Sequence, residues 1–212
     1  MKHISKIAVI GGTGKSGKYL VKLLLDQGFH LKLLLRNPEN FQIKSPLIEV
    51  VQGDARIYES VQLLVAGCQA VLSMLGQPKG EPTIFSEATR NVIRAMKHHS
   101  IERYIVTTGL NVDTPFDQKG VKTKMVTDWM YENYPKTTQD KQYEFEILSG
   151  SDINWTLVRL PMIEQTDLRS KILVSLEDCP GEKISATDLA HFVIEQLTDS
   201  AYARKAPFIA NV

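Results

Sequence analysis

Three glycines, Gly11, Gly14 and Gly17, stand in the stretch "AVIGGTGKSGKYL", with Lys15 and Ser16 between the last two. Residues of these types at this spacing bind phosphate, in one of two ways. A P-loop is written Gly-x-x-x-x-Gly-Lys-Ser/Thr and cradles a nucleoside triphosphate. Fixing Gly14-Lys15-Ser16 as its end puts Val9 where the first glycine belongs. Val9 lies within the apolar run "KIAVIG", so the chain is still strand there and too little loop is left to wrap phosphates. The Gly-x-x-Gly-x-x-Gly spacing fits a dinucleotide-binding turn instead. In that reading Gly11 makes the tight turn, Gly14 admits a pyrophosphate, and Gly17 lets the next helix pack on the strand. Backbone N–H groups and the positive end of that helix hold the anion.

The residue that selects between dinucleotides stands at the end of the second strand. About 20 residues past the glycines, an NAD-preferring site carries Asp or Glu for the ribose 2′-hydroxyl. This sequence has Arg36 there, followed by Asn37. A guanidinium presents a planar fork of donors to a 2′-phosphate, which a carboxylate would repel. Arg36 therefore points to NADPH, with Lys15 and Ser16 as further donors. Asp54, in "QGDAR", is read either as a contact to the adenine region, with Ala55 beside it, or as the N-cap of a helix starting at Ala55. Leu75-Gly76 and Thr107-Thr108 end the fourth and fifth strands, at the carboxyl edge where ligands sit in such sheets.

Other chemistry finds little support. Ser86, Ser100 and Ser149 lie in no nucleophile-elbow pattern. His98-His99 at a helix end has no carboxylate or cysteine at ligand spacing, and no metal site is expected. Ser185 and Asp188 read as caps of the last helix. Cys68 and Cys179 are the only cysteines and lie far apart, which suggests a reducing compartment. With 25 basic against 24 acidic side chains, no charge excess draws the chain to nucleic acid or an anionic membrane. No run of 18 apolar residues and no signal-like leader occur, so a cytoplasmic protein is expected.

The elements that must position these residues alternate along the chain. Strands are expected at 6–11, 31–35, 47–52, 69–75, 104–108, 155–160, 171–176 and 207–210. Helices are expected at 16–28, 55–66, 83–99, 121–133, 139–149 and 186–199, with 109–120 a loop. Alternation of this kind calls for parallel strands with helices on both faces. The fold class is α/β, a Rossmann-like doubly wound parallel sheet. One domain is expected over 1–212, with a cofactor-binding core to about 160 and a small C-terminal, substrate-side subdomain over 161–212.

Taken together, "KIAVIGGTGKSG", "LLLRNP", "VVQGDAR", "AVLSMLG", "SEATRNVIRAMKHHSIERYIVTT", "LSGSDINWTLVRLP" and "ISATDLAHFVIEQL" resemble the atypical short-chain dehydrogenase/reductases of the NAD(P)H-binding, NmrA-like kind. Within them, the biliverdin-IXβ reductase/flavin reductase type is most similar. The resemblance implies a cytosolic, monomeric or weakly dimeric NADPH-binding protein, with Thr13, Lys15, Ser16, Arg36, Asp54, Leu75 and Gly76 around the cofactor. Its departures bear on the chemistry. Most short-chain dehydrogenases carry Tyr-x-x-x-Lys, whose tyrosine protonates a carbonyl oxygen. Here Lys141 occupies the lysine position, but Thr137 stands four residues before it. The serine and histidine of the flavin-reductase pattern fall at Gly109 and Met162, with Thr108 adjacent. Thr108 and Lys141 remain as the catalytic candidates. A flavin or quinone needs little from protein acids, since its ring delocalises incoming electrons and takes protons from water. The implied reaction is hydride transfer from NADPH to such a planar acceptor. Phe116, Trp129, Met130, Tyr131 and Tyr134 offer it a stacking surface, or are core or dimer contacts. A non-catalytic NADP(H)-binding redox sensor is the alternative.

Overall fold

The apolar runs form strands buried on both faces, as a parallel sheet requires. The computed structural model describes residues 4–212. Six strands run parallel: β1 (Lys6–Ile10), β2 (His30–Leu35), β3 (Ile48–Gln52), β4 (Ala70–Ser73), β5 (Arg103–Gly109) and β6 (Asn154–Leu160). Between them come α1 (Gly17–Asp26), α2 (Tyr58–Val65), α3 (Phe85–His98), α4 (Val121–Asn133) and α5 (Pro135–Ser149). After β6 follow β7 (Met162–Glu164), β8 (Ile172–Ser175), β9 (Lys183–Ser185), α6 (Ala186–Glu195) and β10 (Phe208–Asn211). The main sheet has the order β3-β2-β1-β4-β5-β6-β10-β8, and β7 pairs with β9 outside it. The Rossmann-like expectation holds. The direction of winding reverses between β1 and β4, and a crevice opens beyond the carboxyl ends of the strands at such a point.

Alternate residues of β1 feed the two halves of the core. Ala8 and Ile10 join the layer under α2, α3 and α5. Ile7 and Val9 join the layer under α1 and α6. Three cations interrupt the apolar strands, and each has a structural partner. Lys32 of β2 donates to Leu63 O at 2.6 Å and Ala66 O at 3.3 Å, closing the carbonyl end of α2. Arg103 of β5 binds Gln196 O at 2.8 Å and Thr156 Oγ1 at 2.8 Å, and burial pulls its pKa down to about 10. Arg159 of β6, fully buried, lies over the Phe208 ring at 3.5 Å and pairs with Asp117 at 2.7 Å. Asp117 belongs to the 109–120 segment, so this loop is pinned to the sheet by charge as well as by the buried Val112.

Two helix starts and two short strands differ from expectation for identifiable reasons. α2 starts at Tyr58 and not at Ala55, because Asp54 Oδ1 accepts the Arg56 amide at 2.8 Å and holds a turn. α5 starts at Pro135, four residues early, with the proline in the first turn, where its missing N–H costs nothing. Strands β7 and β9, three residues each, have no periodicity long enough to read. Among the described residues, no helix is long and apolar enough to cross a membrane.

Candidate cofactor-binding site

At the end of β1 the backbone turns through Gly11, whose φ is +76°. A Cβ there would come within 2.6 Å of Met74 O, just past β4, so two strand ends meet across a glycine. Gly14 N–H donates to Gly11 O at 3.0 Å and closes the turn. Gly17 packs so closely that a Cβ would overlap the Gly11 carbonyl oxygen. Ser16 precedes α1 without a side-chain cap bond, and no acidic residue stands in the first turn. The helix thus offers its first amides and positive end to whatever lies above the turn.

Two adjoining clefts open there. The first, about 250 Å³, is lined by Gly11, Thr13, Gly14, Arg36, Asp54, Ala55, Leu75 and Gly76 among others. The second, about 600 Å³, is lined by Lys15, Ser16, Thr107, Thr108 and Lys141, with Gly109 and Met162. Gly14, Met74, Leu75, Gly76 and Gln77 line both, so the clefts are continuous. Of the residues expected to bind the cofactor or act in catalysis, Gly17 alone lines neither, because it lies beneath the turn, while Lys15 and Ser16, expected as donors beside Arg36, line the second cleft and not the first. Thr107 Oγ1 is taken up by Ser73 O at 3.3 Å. Thr108 Oγ1 and Gln77 Oε1 are buried without a protein partner, although both residues line the clefts. Buried polar atoms of this kind call for a ligand's hydroxyl or amide. The glycine turn, the uncapped helix and these two atoms fit a dinucleotide, with its adenosine half in the first cleft and its nicotinamide half in the second.

The adenosine end holds a charge network that the sequence did not disclose. Arg36 Nη1 donates to both carboxylate oxygens of Glu81, at 2.7 and 2.8 Å. Arg56 Nη2 reaches Glu81 Oε2 at 2.8 Å and Asp54 Oδ2 at 2.7 Å, and Arg56 Nε reaches Asp54 Oδ1 at 3.1 Å. Asp54 is thereby turned toward Arg56, and its carboxylate does not cap α2, whose N-cap position is Ile57. The guanidinium groups hold both carboxyls below their usual range: Arg56 beside Asp54, Arg36 and then Arg56 beside Glu81.

At the nicotinamide end, Lys141 lies in the second turn of α5, half-buried, with Nζ 5.0 Å from the Phe85 ring centroid. Burial pulls its pKa down, against the opposing charge of Glu144. Glu144, one turn on, is itself pushed up to about 7 by burial and accepts Thr89 Oγ1 at 2.8 Å. Asp140, beside Lys141, accepts the Phe85 amide at 2.8 Å and the Ser86 hydroxyl at 2.5 Å. It caps α3 from another helix. Sequence reasoning had no signal for this, since the two residues are 55 positions apart.

The stacking surface expected from Phe116, Trp129, Met130, Tyr131 and Tyr134 is not at the site, for none of them lines either cleft. Phe116 borders a separate depression with Pro115, Phe145 and Trp155. Trp129 and Tyr134 stack on one another, exposed, on α4 and its end. The cause is that α4 buries only Thr123 and Thr127, so its aromatic side faces out. Among the described residues no group of three metal-ligating side chains occurs.

Known proteins resemble this chain in sequence or in fold. A family model described as NAD(P)H-binding matches residues 11–200. An anthocyanidin reductase of Vitis vinifera is 30% identical over 117 residues, covering 47% of this chain and 35% of that protein. The photosystem II assembly factor Ycf39 of Cyanophora paradoxa is 22% identical over 209 residues, covering 90% of this chain. The chain spans only 59% of that factor. Among solved structures, a short-chain dehydrogenase/reductase of Veillonella parvula in complex with NADP superimposes with a TM-score of 0.82. It covers 99% of this chain and 95% of its own at 15% identity. ChuY, an anaerobillin reductase of Escherichia coli O157:H7, gives 0.78 at 16% identity over 98% of this chain and 97% of its own. At such identities these two structures speak for the fold.

Proposed function

The chain belongs to the NAD(P)H-binding family, in keeping with its resemblance to the atypical short-chain dehydrogenase/reductases, and on that premise we propose that it is an NADPH-dependent reductase of a planar, conjugated acceptor such as a flavin or quinone. One observation carries the reading. Among the described residues, the only titratable ones lining the nicotinamide-side cleft are Lys15 and Lys141. A carbonyl reductase needs an acid at hydrogen-bond distance from the oxygen it protonates. This cleft offers no phenol, imidazole or carboxyl, so it suits an acceptor that stabilises the added electrons within its own ring.

When bound, NADPH supplies the hydride. The chain's own groups bind and orient. The amides at the start of α1 hold the pyrophosphate, and the Arg36 guanidinium takes the 2′-phosphate. Thr108 Oγ1 and Gln77 Oε1 hydrogen-bond the ligand groups that complete their shells. Lys141, beside Gly109 and Thr108, places a donor on the floor of the wider cleft, where it steadies negative charge developing on the acceptor. Protons come from water through the open side of that cleft.

Titration of the purified protein with NADPH and NADH, followed by steady-state NADPH oxidation with FMN, riboflavin and a soluble quinone, tests the reading. Tighter NADPH binding that Arg36→Ala abolishes, together with turnover of at least one planar acceptor, is expected. Equal affinity for the two cofactors would sink the Arg36 assignment. Tight binding of NADP+ and NADPH without turnover of any acceptor would replace the reductase with a non-catalytic sensor.

A further inference from the structure

The corner that receives the 2′-phosphate already contains an anion of the chain's own. We propose that Glu81 sets the discrimination between NADPH and NADH: its carboxylate occupies the guanidinium edge of Arg36 that a 2′-phosphate uses, so the phosphate must displace it, whereas the 2′-hydroxyl of NADH need not. The inference rests on the assignment of Arg36 above.

The geometry is that of an internal stand-in for phosphate. Both Glu81 oxygens lie on Arg36 Nη1, at 2.7 and 2.8 Å, and Oε2 also lies on Arg56 Nη2 at 2.8 Å. Two guanidinium groups converging on one oxyanion is the arrangement expected around a phosphate. Arg56 also holds Asp54, at 2.7 Å. The four charges, Arg36 and Arg56 against Asp54 and Glu81, therefore sum to zero. Without Glu81 the corner would carry one net positive charge, which favours a dianionic phosphate over a hydroxyl.

Glu81 stands on a turn that can move without disturbing the core. Gln77 Nε2 gathers the carbonyls of Pro78, Glu81 and Pro82 at 3.0–3.1 Å, so the turn is held by its own bonds. Its tip, Lys79-Gly80, is exposed, and Gly80 has a φ of +75°. The contact tying this turn across to the end of β2 is the Glu81–Arg36 pair. A ligand that takes Arg36 thus leaves Glu81 held by Arg56 alone, and the paired carboxylate, held ionised by its arginines, is a charged competitor at neutral pH.

The test uses fragments that differ only in the 2′-phosphate. Binding of 2′,5′-ADP and of 5′-AMP is measured calorimetrically for the full chain, for Glu81→Gln and Glu81→Ala, and for Arg36→Ala. Both Glu81 variants should tighten 2′,5′-ADP, by roughly two- to fivefold as expected for loss of a solvent-accessible ion pair, and leave 5′-AMP unchanged. Arg36→Ala should weaken 2′,5′-ADP alone. Unchanged or weaker 2′,5′-ADP binding in the Glu81 variants, while Arg36→Ala still weakens it, overturns the role of Glu81 and leaves Arg36 standing. Weaker 5′-AMP binding in Glu81→Gln also overturns it, because the carboxylate would then be gripping the ribose hydroxyl. If Arg36→Ala changes neither ligand, the Arg36 assignment fails and takes this inference with it.

Discussion

Removing Asp140 should loosen the cofactor cleft without touching a residue that lines it. Helix α3 has Ile84 at its N-cap position and no side-chain cap of its own. Asp140, 8% exposed on α5, takes the Phe85 amide and the Ser86 hydroxyl in its place. In Asp140→Ala both donors lose their acceptor inside the protein. Loss of the carboxylate that caps the Phe85 amide costs about 1 kcal/mol, and the buried Ser86 hydroxyl left without its partner costs about 1–3 kcal/mol. The sum is ~2–4 kcal/mol, which for a domain of this size corresponds to a fall in Tm of roughly 5–15 °C. Asp140→Asn keeps an acceptor for the Phe85 amide and loses only the charge, so about 1 kcal/mol is expected. The segment that α3 anchors supplies Leu75, Gly76, Gln77, Pro78 and Ile84 to the first cleft. NADPH affinity should therefore fall in Asp140→Ala more than in Asp140→Asn, at a temperature where both are folded. Thermal denaturation with and without NADPH reads both effects. The reasoning is refuted if Asp140→Ala unfolds within about 0.5 kcal/mol of the parent, or if the two variants are indistinguishable.

Gly17→Ala forces a methyl into the Gly11 carbonyl oxygen; it should cost about 1–3 kcal/mol and remove measurable NADPH binding, which fluorescence titration would detect. The folded chain holds the Glu144 proton up to about pH 7, against an ordinary value of 4.5. The folded state thus binds more protons in that window, and stability falls as pH rises through it. Glu144→Gln lacks this loss, so its denaturation midpoint relative to the parent should climb between pH 5 and 7 and level off above; a gap that narrows with pH contradicts the burial argument. Asp117→Asn leaves the fully buried Arg159 without its carboxylate, an expected loss of about 3–5 kcal/mol in urea denaturation. Replacing both, with Arg159→Met and Asp117→Leu, should cost less than the single change.

Much of the fold was legible because its signals are local. The glycine spacing, the strand runs and the alternation each occupy a short window, and Val9 alone settled which phosphate loop was present. Arg36 and the strand-end residues could be placed because the fold puts the carboxyl ends of the parallel strands β1–β6 at one rim. What stayed hidden depends on pairs distant in sequence. Glu81 and Arg36 meet across the switch point, and Asp140 caps a helix it does not belong to. Asp54 shows the limit: it lines the cleft, but its carboxylate engages Arg56 and not the start of α2, a pairing that the sequence did not disclose. The aromatic residues of α4 misled for a related reason, since composition does not reveal which side of a weakly amphipathic helix faces the sheet.

The order of the sheet also constrains how the molecule is assembled and taken apart. β10 lies between β6 and β8, although β8 precedes it in the chain. β8 runs antiparallel to β10, from Phe208 opposite Ser175 to Asn211 opposite Ile172, and has no other partner in the main sheet. During synthesis β8 therefore emerges before the strand it must pair with, and waits. Until residues 204–211 arrive, β6 presents an open edge, and Arg159 lacks both the Ala206 carbonyl and the Phe208 ring that enclose it. A nick or deletion in these few residues would detach β8, expose a buried cation and leave a strand free to pair with another molecule. The strand that joins β8 to the sheet is thus made after β8 itself, and a probe of that junction would distinguish sheets that have closed from those that have not.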